Sequence, residues 1–152
     1  MSPRTGLGML SALALFSSAV MPQEPTKLPY GLSCAQCMID VTSSCAALPK
    51  AELVIDARQM EPIDERRECD SKQTCQVSVG SRFGSVFVLR SPKATASTKI
   101  FLSQYTESSG DAPPSGVRLM PDTRYVLFTK RAAWRAPFDA QWHVLAACVV
   151  PK

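Results

Sequence analysis

The chain contains no asparagine. That excludes N-glycosylation, whose acceptor is an Asn side chain, and it leaves the tight turns to Gly and Asp. Histidine occurs once, as His143. It sits between Trp142 and Val144 in a bulky apolar strand pattern, which favours a structural over a catalytic role. There is no Gly-x-Ser-x-Gly elbow and no phosphate-binding glycine loop. A dense basic stripe is missing too. Lys and Arg total 17 against 13 Asp and Glu, and only Arg66-Arg67 and Lys130-Arg131 are adjacent. Aromatics do not interleave with them, so the charge reads as a solvated surface and no nucleic-acid partner is expected.

Long apolar runs are also absent. The longest, residues 7–16 (LGMLSALALF), falls short of the roughly 20 residues a membrane span requires. With Arg4 ahead of it and small Ser17 and Ala19 behind it, the run reads as a secretory signal peptide over residues 1–19, cleaved before Val20. An uncleaved anchor helix is the weaker alternative. No stable membrane span is expected after cleavage, and the mature chain of about 130 residues is expected to be secreted or periplasmic.

At 152 residues the chain suits one ordinary domain. Six cysteines follow the leader: Cys34, Cys37, Cys45, Cys69, Cys75 and Cys148. An even count in an exported chain reads as a disulfide framework with fifteen possible pairings. Structural zinc would need four ligands, often as two close pairs. Cys34 and Cys37 form one such pair, but Cys69 and Cys75 are badly spaced for the second. No metal or cofactor is therefore expected. The sequence Cys34-Ala35-Gln36-Cys37 is also a C-x-x-C. Redox activity in such a motif calls for a helix N-terminus and a preceding strand; here a proline-rich arm precedes it. A bridge from Cys45 to Cys148 would close about 100 residues, worth up to ~4.7 kcal/mol in the chain-entropy model. Cys69 and Cys75 could form a local clip. Cys34 and Cys37 would then be left to each other or to intermolecular partners.

Residues 20–33 read as an extended, Pro-rich arm. A short helix over residues 38–48 is a weak expectation, because its β-branched residues oppose it. Strands are expected in AELVIDARQM, CQVSVG, FGSVFVLR, TKIFLSQY, TRYVLFTKR and QWHVLAACVV. The second and third of these read as one long strand bent between Gly80 and Gly84. EPIDE, SPKATA, SSGDAPPSG, LMPD and RAPFD read as turns, and residues 107–116 as the most mobile loop. The acids Glu61, Asp64, Glu65, Glu68 and Asp70 alternate with Arg66 and Arg67 in what reads as an exposed loop. Unburied carboxylates make poor acid/base pairs. The fold class is all-β: a small barrel or a sandwich of five or six strands.

The order of features resembles the netrin-like family, whose best-known members are the tissue inhibitors of metalloproteinases. A cysteine-rich segment, CAQCMIDVTSSC, is followed by AELVIDAR, similar to the family's first strand. RYVLFTK resembles a late strand, and AACVVPK a closing cysteine and proline. The resemblance covers residues 34–152. It implies a five- to six-stranded OB-like barrel, stapled by disulfides, that binds a protein partner, with a metalloprotease as the named candidate. It carries over a bridge between Cys45 and Cys148, leaving Cys69–Cys75 as the local clip. On this reading, Cys45 joined instead to Cys34 or Cys37 would count against the barrel. The resemblance also places partner binding at Cys34, Ala35, Gln36 and Cys37, and implies a protein that is not an enzyme. In the family the α-amine of an N-terminal cysteine chelates the protease zinc. Here the first pair is C-x-x-C and not C-x-C, and the expected N-terminus, Val20, lies ahead of Cys34.

Overall fold

The computed structural model describes residues 27–91, 100–110, 115–132 and 141–152. The leader at 1–19 and the first part of the arm lie outside these residues, as do most of SPKATA and all of RAPFD.

The fold is nearly all strand. β1 is Cys37–Ile39, β2 Leu53–Cys69, β3 Thr74–Arg90, β4 Phe101–Ser108, β5 Ser115–Gly116, β6 Tyr125–Arg131 and β7 Trp142–Val149. Their order is β1-β7-β6-β2-β3-β4-β5, and β4 also pairs with β7 in parallel. The sheet therefore closes on itself through β7, β6, β2, β3 and β4. This is the five-stranded OB-like barrel, with β1 and β5 as additions. Closure removes most of the unpaired sheet edge that a small open sheet would leave.

Why Leu53, Val54, Ile55, Asp56 and Ala57 form an unbroken buried run follows from the layers around them. Leu53, Ile55 and Ala57 point into the barrel against Phe101, Tyr125, Leu127, Trp142 and Ala147. Val54 points outward, where Val126, Phe128, Ala146 and Cys148 form a second apolar layer. That outer layer is covered by Leu28, Leu32, Leu48 and Ala51 from the N-terminal segment. Each such leucine contributes about 1.5–3 kcal/mol by leaving water. The described end of the arm is thus docked. It holds a short 3-10 turn at Pro29–Gly31, with Leu28 and Leu32 both buried.

The expected single long strand is present as β3, and β2 is equally long. Several local expectations are corrected. EPIDE is not a turn: it lies inside β2, where a bulge at Ile63 between Pro62 and Asp64 absorbs the proline. The charged stretch after it is exposed strand, not loop, because β3 supplies its ladder partners. No helix covers residues 38–48. β1 ends at Ile39, and a 3-10 helix runs over Cys45–Lys50 with Pro49 inside it. The β-branched Ile39, Val41 and Thr42 disfavour helix, and β7 offers Ile39 a partner. Of the loop at 107–116, Glu107 and Ser108 belong to β4, and Ser115–Gly116 returns as β5 against Tyr105 and Thr106. Gly116 is required there: its φ is +96°, and a Cβ would lie 2.6 Å from the Gln104 carbonyl oxygen.

The disulfides are Cys34–Cys45, Cys37–Cys148 and Cys69–Cys75. The local clip is as expected. The Cys45–Cys148 bridge is not formed, nor do Cys34 and Cys37 pair with each other. The reason is the ladder. Cys37 and Cys148 face each other across β1 and β7, with Cα atoms 3.9 Å apart. Cys45 lies beyond a turn and meets Cys34 at 6.1 Å. The barrel coexists with the Cys34–Cys45 bridge, because Cys37 and not Cys45 staples the N-terminal segment to the last strand.

Candidate functional site: a disulfide ridge and the cleft beyond it

Cys34, Ala35, Gln36 and Cys37 form one ridge. Cys34–Gln36 is a single 3-10 turn. The Gln36 side-chain oxygen accepts from the Ser33 amide at 2.8 Å and from its hydroxyl at 3.3 Å, closing a capping box. Ala35 and Gln36 are exposed, while the flanking cysteines are half-buried. The two bridges run from the ends of this four-residue ridge to different elements, so its exposed centre is clamped from both sides.

Behind the ridge β7 changes partners. β4 pairs with it at Trp142 and His143, and β1 at 146–148. Leu145 is bulged between them, and its carbonyl accepts from the Asp40 amide at 2.8 Å. Asp40 and His143, both buried, meet in this gap, with His143 Nε2 3.4 Å from Asp40 Oδ2. The same oxygen accepts from the Thr42 amide at 3.1 Å and from the Thr42 hydroxyl. Burial would raise the Asp40 carboxyl, but the hydrogen bonds from His143 and Thr42 outweigh it and leave the pKa lowered. Asp40 Oδ1 has no hydrogen-bond partner. Through Asp40, His143 is tied to the segment that carries the ridge.

On the other side of the outer apolar layer lies a second polar cluster. Asp56 is buried in β2. Arg124 Nε donates to its Oδ1 at 2.9 Å, and Arg124 Nη2 to Oδ2 at 2.5 Å, a bidentate pair. The Tyr30 hydroxyl donates to Oδ2 at 2.9 Å, and the Arg124 guanidinium lies 5.4 Å from the Tyr30 ring centre. The Arg124 hydrogen bonds hold the Asp56 carboxyl below its usual range, against the effect of burial, and Tyr30 adds to them. These contacts hold Tyr30 at φ +58°, in the left-handed region. A cleft of about 490 Å³ opens beside the pair, lined by Arg58, Gln59, Met60 and residues 121–124. Gln59 is the second left-handed residue, at φ +57°. Its side chain lies over Gly84, where a Cβ would come within 2.7 Å of Gln59 Oε1.

The acids named from the sequence do not assemble into a catalytic pair. Glu61, Asp64, Glu65, Glu68 and Asp70 are exposed. Arg66 pairs with Glu68 at 2.8 Å, and Arg67 bridges to Glu107 at 2.6 Å, which lowers the Glu107 carboxyl. Among the described residues no three His, Cys, Asp or Glu side chains are grouped to hold a metal. Asp40, Asp56, Tyr30 and Arg124 carried no signal in the sequence, since their meeting depends on which strands become neighbours.

The ridge, the Asp40–His143 latch and the Arg124–Asp56–Tyr30 cluster have to be read on their own geometry: no protein-family model, curated protein or solved structure matches the chain.

Proposed function

We propose that the chain is an exported, non-enzymatic domain that binds a protein partner through the Cys34–Cys37 ridge, with metalloprotease inhibition as the named candidate activity. The observation that carries this reading is the ridge itself: Ala35 and Gln36 stand exposed between two disulfides anchored on a closed barrel. Such preorganisation lowers the ordering cost of association. Three disulfides are compatible with an extracellular or periplasmic setting. No helix among the described residues is long and apolar enough to cross a membrane.

The mode of inhibition differs from amine chelation. The nitrogen of Cys34 is in a peptide bond, and the residues before it include buried Leu28 and Leu32 and the Asp56-bound Tyr30. A protease would be met by the ridge's side chains and carbonyls, wedged into its cleft. The test is inhibition of a panel of zinc metalloproteases by the disulfide-intact protein, with Ala35→Arg as the ridge variant. Inhibition weakened at least ten-fold by Ala35→Arg, with an unchanged melting curve, supports the reading. No inhibition of any protease removes the protease as partner. A photo-crosslinker at Gln36 that captures no protein in the source compartment removes protein binding through the ridge. N-terminal sequencing of the exported chain checks cleavage before Val20.

A thiol-disulfide role for Cys34 and Cys37 is less favoured, because all six cysteines are bonded and these two have different partners. Reduction potentials below about −300 mV for both bridges would dispose of it.

A further inference from the structure

The cleft beside the Asp56–Arg124 pair exists because two strands part company. β6 pairs with β2 from Leu53 to Ala57, and Tyr125 is its first residue. The chain before Tyr125 does not continue beside β2. It turns at 120–123, where the Thr123 amide donates to the Met120 carbonyl at 3.4 Å. Residues 58–60 of β2 therefore run beside β3 on one side and, among the described residues, beside no strand on the other. The space between them and 121–124 is the cleft of about 490 Å³, within the roughly 300–1,000 Å³ of small-ligand pockets.

The backbone is strained at this point. Leu53, Ile55 and Ala57 point into the barrel, and so does Met60. The left-handed Gln59 shifts the alternation by one residue and turns Met60 under the cleft as its apolar floor. Strain of this kind collects at binding sites. The charges divide by wall. Arg124 directs its guanidinium at both oxygens of Asp56, so that pair is internally neutral. Arg58, exposed on the β2 wall, helps to keep the Asp56 carboxylate charged. Asp122, exposed on the loop wall, has the opposite sign. Neither of these two side chains makes a hydrogen bond or an ion pair among the described residues. Chain order also separates them lengthwise: Arg124 follows on from the Ala57–Tyr125 pair beside Arg58, and Asp122 lies two residues further. The next charge along β2, Glu61, stands opposite Arg82 on β3.

From the bare strand edge, the opposed charges and the size of the cleft, we propose that it binds a short peptide in zwitterionic form, with the α-carboxylate at Arg58 and the α-ammonium at Asp122. Three bare residues at about 3.3 Å each span roughly 10 Å, which sets the occupant at two or three residues. Its main chain lies along 58–60 and exchanges hydrogen bonds with that edge. An apolar side chain rests on Met60 and Pro121. A ligand of single charge would meet one wall and leave the other unmatched. The cleft shares no residue with the ridge, so the proposal is independent of the protein-binding reading there.

The test is calorimetric titration of the intact, disulfide-bonded protein with unblocked tripeptides Ala-X-Ala, where X is each apolar residue in turn. The best binder is compared with its N-acetyl form, its C-terminal amide and free alanine, on the unaltered protein, Arg58→Gln and Asp122→Asn. Both positions are exposed, and a thermal melt checks the fold of each variant. The expected result is saturable binding that either block weakens at least ten-fold. In Asp122→Asn the N-acetyl form should bind as well as the unblocked peptide, and in Arg58→Gln the amide should do so. This matching of variant to terminus identifies the two poles. No saturable binding by any tripeptide overturns the proposal, as does binding that ignores both blocks. The reversed matching, or variants without effect, overturns the assignment of the poles and with it the site. Free alanine bound as tightly as the tripeptide overturns the peptide and gives the cleft to an amino acid. The ridge crosslinking is read separately from all of these.

Discussion

Asp40 and Asp56 are buried acids held on opposite sides of the outer apolar layer, Asp40 by the distant His143 and the nearby Thr42, Asp56 by Arg124 and Tyr30. Hydrogen bonds from His143 and Thr42 lower Asp40 despite its burial, and Arg124 with Tyr30 lowers Asp56. A depressed native pKa adds stability that is fully present above the unfolded value of about 3.9 and is lost as pH falls through the native value. Urea midpoints measured from pH 7 downward should therefore hold near pH 5 and fall below pH 4. Asp56→Asn should flatten part of that fall. Asp40→Ala should cost about 1.5–3 kcal/mol at pH 7, the worth of hydrogen bonds to a charged group, read by urea unfolding. A loss under 0.5 kcal/mol would mean that the latch is not a stabilising contact.

At the scale of elements, the N-terminal segment is the revealing case. Its prolines read as extended backbone, whereas its described part turns through a 3-10 helix at Pro29–Gly31. Its docking was not legible, because Leu28 and Leu32 are two isolated leucines with no periodicity, and their partners Val126 and Phe128 lie about 100 residues away. Leu32→Ala should destabilise the protein by about 2–5 kcal/mol, as for other buried leucines, measured by denaturant unfolding. Removing residues up to Ser33 should cost more than either leucine alone. A trimmed chain as stable as the full one would reopen amine chelation by Cys34. β2 and β3 teach a similar lesson. Pro62 reads as a turn from the sequence, but a bulge at Ile63 lets the strand continue, and a bulge becomes visible only against its partner strand.

Across the whole molecule, the disulfides differ in the length of chain they close: 111 residues for Cys37–Cys148, 11 for Cys34–Cys45 and 6 for Cys69–Cys75. The chain-entropy model puts the first at about 5 kcal/mol and the last at about 2. Replacing Cys37 and Cys148 together by Ser should therefore lower stability by roughly twice as much as replacing Cys69 and Cys75, in paired urea titrations. Mass-spectrometric mapping should recover a Cys37–Cys148 peptide pair and none joining Cys45 to Cys148.

What the sequence by itself determined is local and periodic: the alternating runs that become β3, β4, β6 and β7, the Cys69–Cys75 clip across a short turn, and the exposure of the charged stretch. These depend on neighbours a few residues apart. The tertiary structure decided which cysteine of the N-terminal cluster reaches the last strand, since that depends on β1 pairing with the end of β7 that β4 leaves free. It also decided that Asp56 meets Arg124 and Tyr30, and that, among the described residues, 82–90 of β3 pair with β2 alone. Each of these follows from closing the barrel, which brings residues together by ladder register and not by their spacing along the chain.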